Sequence, residues 1–175
     1  MNAFSPVSAS DLSPEPFNQA TARVNEWRGA CIDAFVRAEA ATTECLAVLA
    51  EVQDRGILVR LPHLVGQRLD ALQAMIGPGC PFESEGRPAY AALERFREHD
   101  DFRSTLCHGV GHVTLDRRGC WTVILRVAVL RTRRLARFVQ VFTEAEAEVR
   151  RSTVAAASRD LCSRLGQVRA SIRGA

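Results

Sequence analysis

The chain has 175 residues, 47% hydrophobic and 25% charged, with a formal net charge of +3, which gives room for one soluble domain with an ordinary core. That charge is too small to argue for nucleic-acid binding by itself. The longest apolar run, Cys120 to Leu130, is interrupted by Arg126 and too short to span a membrane.

Residues 1–17 hold three prolines and several serines and are expected to form a flexible arm, leaving 18–175 as a single helical domain. From about Asn18 to Asp54, Val24, Trp27, Cys31, Ala34, Phe35, Ala38, Cys45, Leu49 and Val52 recur at three- and four-residue steps. That spacing predicts a long helix with one buried stripe, ended by Gly56. A second helix is expected from about Pro62 to Ile76, followed by the break Gly77-Pro78-Gly79-Cys80-Pro81.

A third helix is expected from near Pro88 to His108, stopped by Gly109, with Ala89, Leu93 and Phe96 facing inward. At 100° per residue that face continues through Asp100, Arg103 and Cys107, so charged groups fall where apolar ones are expected. Val113 and Leu115 alternate with His112 and Thr114, Asp116 to Gly119 reads as a turn, and Trp121, Val123, Leu125, Val127 and Val129 occupy every second position. This is a β-hairpin pattern. Thr143 followed by Glu146 is a capping-box pattern that opens a last helix running to about Ile172, with Val149, Ala156, Leu161, Leu165 and Val168 inward. The expected fold is mainly α: a four-helix bundle with a β-hairpin inserted between the third and fourth main helices.

All 23 basic residues are arginine. Segment 116–137 carries seven of them against Asp116 alone. Of these, Arg131, Arg133, Arg134 and Arg137, with Arg126, are candidates for a phosphate-binding patch; the plainer alternative is a solvated connection paired with nearby acids. The six cysteines contain no Cys-x-x-Cys pair, which disfavours a structural zinc site and fits reduced thiols packed as small hydrophobes. No metal or cofactor is called for. No basic-then-apolar leader opens the sequence, so the expected location is the cytoplasm, with no membrane partner.

The segment with the most chemical content is Asp101-Phe102-Arg103-Ser104-Thr105-Leu106-Cys107-His108-Gly109. A permanently charged guanidinium near an imidazole that titrates around neutrality can hold a phosphate and move a proton. Arg103 and His108, at the end of a long bundle helix, resemble the Arg-x4–6-His signature of the HEPN superfamily. Ser104 stands where that family often has Asn, Asp or His, and Val110 where one subgroup carries tyrosine.

The resemblance implies an all-α bundle, commonly dimeric. It also implies either a metal-independent endoribonuclease, of the kind found in toxin–antitoxin and RNA-processing systems, or a non-catalytic RNA-binding relative. Cleavage would use His108 as general base or acid and Arg103 to stabilise charge on the phosphorane-like transition state, with a symmetric homodimer joining two sites. Supporting candidates are Ser104 on the phosphate, Asp100 holding Arg103, and His99 and His112 near the same site. Two alternatives stand beside this reading. One is a non-catalytic helical module that binds a protein partner or regulates; the other is an anion or small-molecule sensor clamping its ligand with Arg103.

Overall fold

The structure, a computed structural model, describes residues 15–131 and 134–174. It is mainly helical, with a small three-stranded antiparallel sheet. Helix α1 (Glu15–Ala50) is followed by a 3-10 turn (Gly56–Leu58), α2 (Val65–Ile76), α3 (Glu83–Arg97) and α4 (Asp100–His108). Strands β1 (Val110–Leu115), β2 (Trp121–Arg131) and β3 (Arg134–Thr143) come next, and α5 (Glu144–Arg173) closes the described chain. Of the expected N-terminal arm, residues 1–14 lie outside the described residues. No helix is long and apolar enough to cross a membrane.

The stripe read from the sequence is the buried face of α1, extended by Ala20, Ala41 and Leu46. It packs against α5, and the two helices run in the same direction. Arg23 pairs with Glu144 near the start of both, and Arg169 with Glu44 near their far ends. Between these, Trp27 Nε1–H donates to the Ala147 carbonyl at 2.7 Å and Ser158 Oγ–H to the Ala34 carbonyl at 2.6 Å, both buried. Small residues (Ala34, Ala38, Ser158) let the backbones come close enough for that second bond. The capping box at the start of α5 is present in both halves: Thr143 Oγ1 accepts from the Glu146 amide, and the Glu146 carboxylate accepts from the Thr143 amide. Two of the residues expected to face inward on α5, Val149 and Ala156, are exposed; Ala147, Val154 and Ser158 take their places.

Helices α2 and α3 form an antiparallel pair. Gly86 lies so close to Ile76 that a Cβ there would sit 2.4 Å from the isoleucine Cβ, and Arg97 reaches back to Asp70 at 2.8 Å. Helix α3 begins at Glu83, not near Pro88, because Glu83 and Glu85 sit favourably in its first turn. Pro88 is accommodated inside the helix. The first helix likewise stops at Ala50, and the turn after it uses Asp54 at φ +67° before Gly56 is reached.

The single helix expected over 88–108 is two helices. On a straight helix Phe96 and Phe102 would point about 120° apart. The break at Glu98–His99 lets both rings pack on Phe35, at 5.6 and 6.4 Å between centroids. It also rotates the second segment, so that α4 buries Phe102, Thr105 and Leu106 while Cys107 is exposed.

The expected hairpin is β1–β2, turning at Asp116–Cys120, where Asp116 Oδ1 accepts the Arg118 and Cys120 amides and Gly119 adopts φ +80°. A third strand, β3, continues the sheet where a connection was expected. It pairs with β2 in unbroken register from Thr122↔Thr143 to Arg131↔Arg134. One face of the sheet, with Val113, Trp121, Val123, Leu125, Val127 and Phe142, is buried against the helices. The other carries Val110, His112, Thr114, Ile124, Arg126, Arg137, Val139 and Val141, exposed or half-buried.

Trp27 lies where these elements meet, with Phe142, Trp121 and Phe102 at 5.7, 6.0 and 6.1 Å. Replacing it should therefore loosen the helices and the sheet together. Trp27→Ala is expected to cost about 3–5 kcal/mol. Trp27→Phe keeps a ring but loses the indole hydrogen bond and should cost about 1–2 kcal/mol. Urea denaturation followed by circular dichroism measures both, and a cost below about 1 kcal/mol for the alanine variant would remove Trp27 from this central position.

Candidate functional site

The residues singled out in the sequence are distributed around α4 and the sheet. Arg103 occupies the first half of α4, and its Nε–H donates to Glu39 Oε1 of α1 at 2.5 Å. Glu39 is only 11% exposed at its side chain and Arg103 35%. The guanidinium is thus already compensated by a carboxylate that stands 64 positions earlier in the chain. Asp100 is not its hydrogen-bonded partner. It faces Arg97 at 3.6 Å, and Arg97 is also held by Asp70 and Gln73. Burial raises the Asp100 carboxyl above the usual range, with Arg97 and Arg103 acting against that shift.

His108 is the last residue of α4 and is exposed, and its side chain makes no hydrogen bond to any described residue. The helix does not unwind before it: the Gly109 amide still donates to the Thr105 carbonyl at 2.8 Å. Five positions of regular helix direct Arg103 and His108 about 140° apart around the axis. Five surface concavities of about 380 to 710 Å³ are lined by neither residue. Ser104 is half-buried and makes no side-chain hydrogen bond among the described residues.

His99 is in the core, 8% exposed, at the break between α3 and α4. Its Nδ1 is buried without a hydrogen-bond partner. Burial lowers its pKa, and Arg150 of α5 lowers it further, against smaller opposing effects of Glu98 and Asp100. It is therefore a neutral core residue and does not join Arg103. His112 projects from the outer sheet face, across from Ile124. The thiols also divide: burial pushes Cys31 and Cys45 up to about 11, whereas Cys107 and Cys120 are exposed and not packed in the core.

What the structure does assemble is the basic sheet surface. Arg126 lies opposite Val139, and Arg137 opposite Ala128, so the two guanidinium-bearing positions are diagonal neighbours on the outer face. Arg134 projects from the other face of the same strand, exposed. Arg133 and the side chain of Arg131 lie outside the described residues. No Asp or Glu occurs anywhere from Arg117 to Thr143. Among the described residues Arg117, Arg118, Arg126, Arg134 and Arg137 have no carboxylate partner, whereas arginines such as Arg55, Arg95 and Arg103 do. Pairing with nearby acids is thus not how this cluster is accommodated. No group of three or more His, Cys, Asp or Glu among the described residues could hold a metal ion.

Comparison with protein-family models, with curated proteins and with solved structures finds no match to the chain.

Two outcomes follow from this geometry. The Arg103–Glu39 pair is part-buried, with the guanidinium still in reach of water, so its loss should cost about 1–2 kcal/mol for Arg103→Ala after allowing for solvent screening. Part of that should return in Arg103→Ala/Glu39→Ala, because no uncompensated carboxylate is left; a double-mutant cycle in urea reads the coupling. His99 has a folded-state pKa below its unfolded value, so the unfolded chain binds the extra proton. Stability is then full above about pH 6.5 and declines as pH falls below it. The midpoint of urea unfolding should drop in mild acid, and His99→Gln should flatten the slope; an identical slope in both proteins would assign the acid sensitivity elsewhere.

Proposed function

We propose that the chain is a cytoplasmic, HEPN-like RNA-binding protein that engages the phosphate backbone with the outer face of its sheet. One observation carries this reading: Arg126 and Arg137 stand together on that face, without carboxylate partners, in a stretch of 27 residues (117–143) with no acid. Guanidinium groups match phosphate oxygens in a two-pronged geometry and release condensed counterions when they bind a polyanion. His112 lies on the same face.

The described outer face carries no Phe, Tyr or Trp, so the contact is mainly with backbone and not with stacked bases, and sequence preference should be weak. The longer helices α1, α2, α3 and α5 serve as the bundle in this reading, and short α4 carries the Arg-x4-His segment. Cleavage is not part of the proposal, because Glu39 already neutralises Arg103 and His108 stands apart from it.

Fluorescence anisotropy with labelled single-stranded and duplex RNA across a salt series tests the proposal. Affinity should fall steeply with salt and differ little between sequences. Arg126→Ser/Arg137→Ser should weaken binding about tenfold or more and reduce the slope of log K against log salt by about 1–2. Salt-insensitive binding, or binding unchanged in the double variant, would remove the sheet face from the reading. Incubation of the same RNA with EDTA present should leave it intact; cleavage abolished by His108→Ala in a folded protein would instead restore the nuclease.

A further inference from the structure

We infer that β3 is the interface of a two-fold dimer, in which its free edge pairs antiparallel with β3 of a second copy. The inference does not rest on RNA binding. The sheet order is β1-β2-β3, so β3 ends the sheet, and among the described residues no strand lies beside its outward amide and carbonyl groups. Exposed strand edges template pairing with another chain, and proteins usually guard them with proline, charged side chains, bulges or short length. On β3 proline, a bulge and short length are absent, since it has ten residues and its register with β2 is unbroken; its charges, Arg134 and Arg137, lie in its first four residues and leave 138–143 uncharged. Apolar side chains remain in the open along it, with Val139 57% and Val141 54% exposed.

The occupant is a second copy because the strand is complementary to itself. With Val139 on the two-fold axis, Val139 faces Val139 of the other copy, Arg137 faces Val141, Ala136 faces Phe142 and Leu135 faces Thr143. No arginine meets an arginine, and just beyond the ladder Arg134 comes alongside Glu144, which also pairs with Arg23. This register uses nearly the full strand and keeps like charges apart.

A groove of about 580 Å³ runs beside the same edge, between β3 and α5, lined among others by Val141, Phe142, Ala145 and Val149. In this register Phe138 of the other copy lies opposite Gln140, next to Phe142 and the groove. The two-fold axis stands perpendicular to the sheet, since paired residues in an antiparallel ladder share a face. The two outer faces then form one six-stranded surface that carries Arg126 and Arg137 twice.

Sedimentation equilibrium on the full chain, across a wide range of loading concentrations, should give a dimer mass. Val139→Lys puts like charges directly opposite each other on the axis and should raise the dimer dissociation constant about tenfold or more, with the circular dichroism spectrum unchanged. A second variant covers the case in which the lysine disturbs folding. In a Cys107→Ser/Cys120→Ser background, Val139→Cys should form an intermolecular disulfide under mild oxidation, because directly opposed strand residues lie within disulfide reach. Ile57→Cys, far from the edge and exposed, should not.

A monomer at every concentration overturns the inference. So does a dimer that Val139→Lys leaves intact and Val139→Cys fails to cross-link, which would put the contact on another face. An edge that pairs with a different protein strand or with RNA also appears here, as a monomeric free chain. Retained RNA binding by a monomeric Val139→Lys would separate this inference from the proposed function.

Discussion

The indole N–H of Trp27, buried against the Ala147 carbonyl, is the interaction on which the architecture depends. It joins the first helix to the opening of the last, across 120 residues. The same ring is the floor for Trp121 and Phe142 of the sheet and for Phe102 of α4. A large aromatic with one polar atom suits this position, since it contributes area to several neighbours while its single donor is satisfied. The start of α5 is fixed from the other side by the Thr143–Glu146 cap. The sheet is therefore held rigidly on the helices at its Trp121–Phe142 end, and its outer face is left free.

Several arginines meet carboxylates of other elements: Arg55 with Glu85, Arg95 with Asp160, Arg103 with Glu39. The Arg55 guanidinium holds the Glu85 carboxyl down to about 2 while its own face covers the Phe82 ring. Among the described residues the sheet arginines Arg126, Arg134 and Arg137 form no ion pair, and no acid is encoded from 117 to 143. The small net charge of the chain conceals this local excess of positive charge.

Periodicity made the long helices, the β1–β2 hairpin and the α5 cap legible in the sequence, because each depends on local spacing. The break between α3 and α4 was not, since its cause is a shared contact of Phe96 and Phe102 with Phe35, more than 60 residues away. β3 was hidden for a different reason. Phe138, Val139, Val141 and Phe142 put apolar groups on both faces, which blurs the alternation of a half-buried strand, and the arginines before them suggested a solvated linker. The Arg103–His108 motif was legible as letters, but its meaning depended on Glu39, a carboxylate on another helix with no signal linking it to Arg103. His99 shows the same limit: one turn before Arg103 in sequence, it lies in the core.

The parallel alignment of α1 and α5 has a kinetic side. An up-and-down bundle closes each contact through a short loop, whereas here the first and last helices meet only by closing a connection that holds the intervening helices and the whole sheet. Such high contact order slows folding by the entropy of bringing distant segments together. During synthesis, α1 leaves the ribosome with its apolar stripe uncovered on the side that α5 will occupy, and it stays so until the thirty residues of α5 emerge. The nascent chain is therefore most vulnerable to aggregation just before α5 is made.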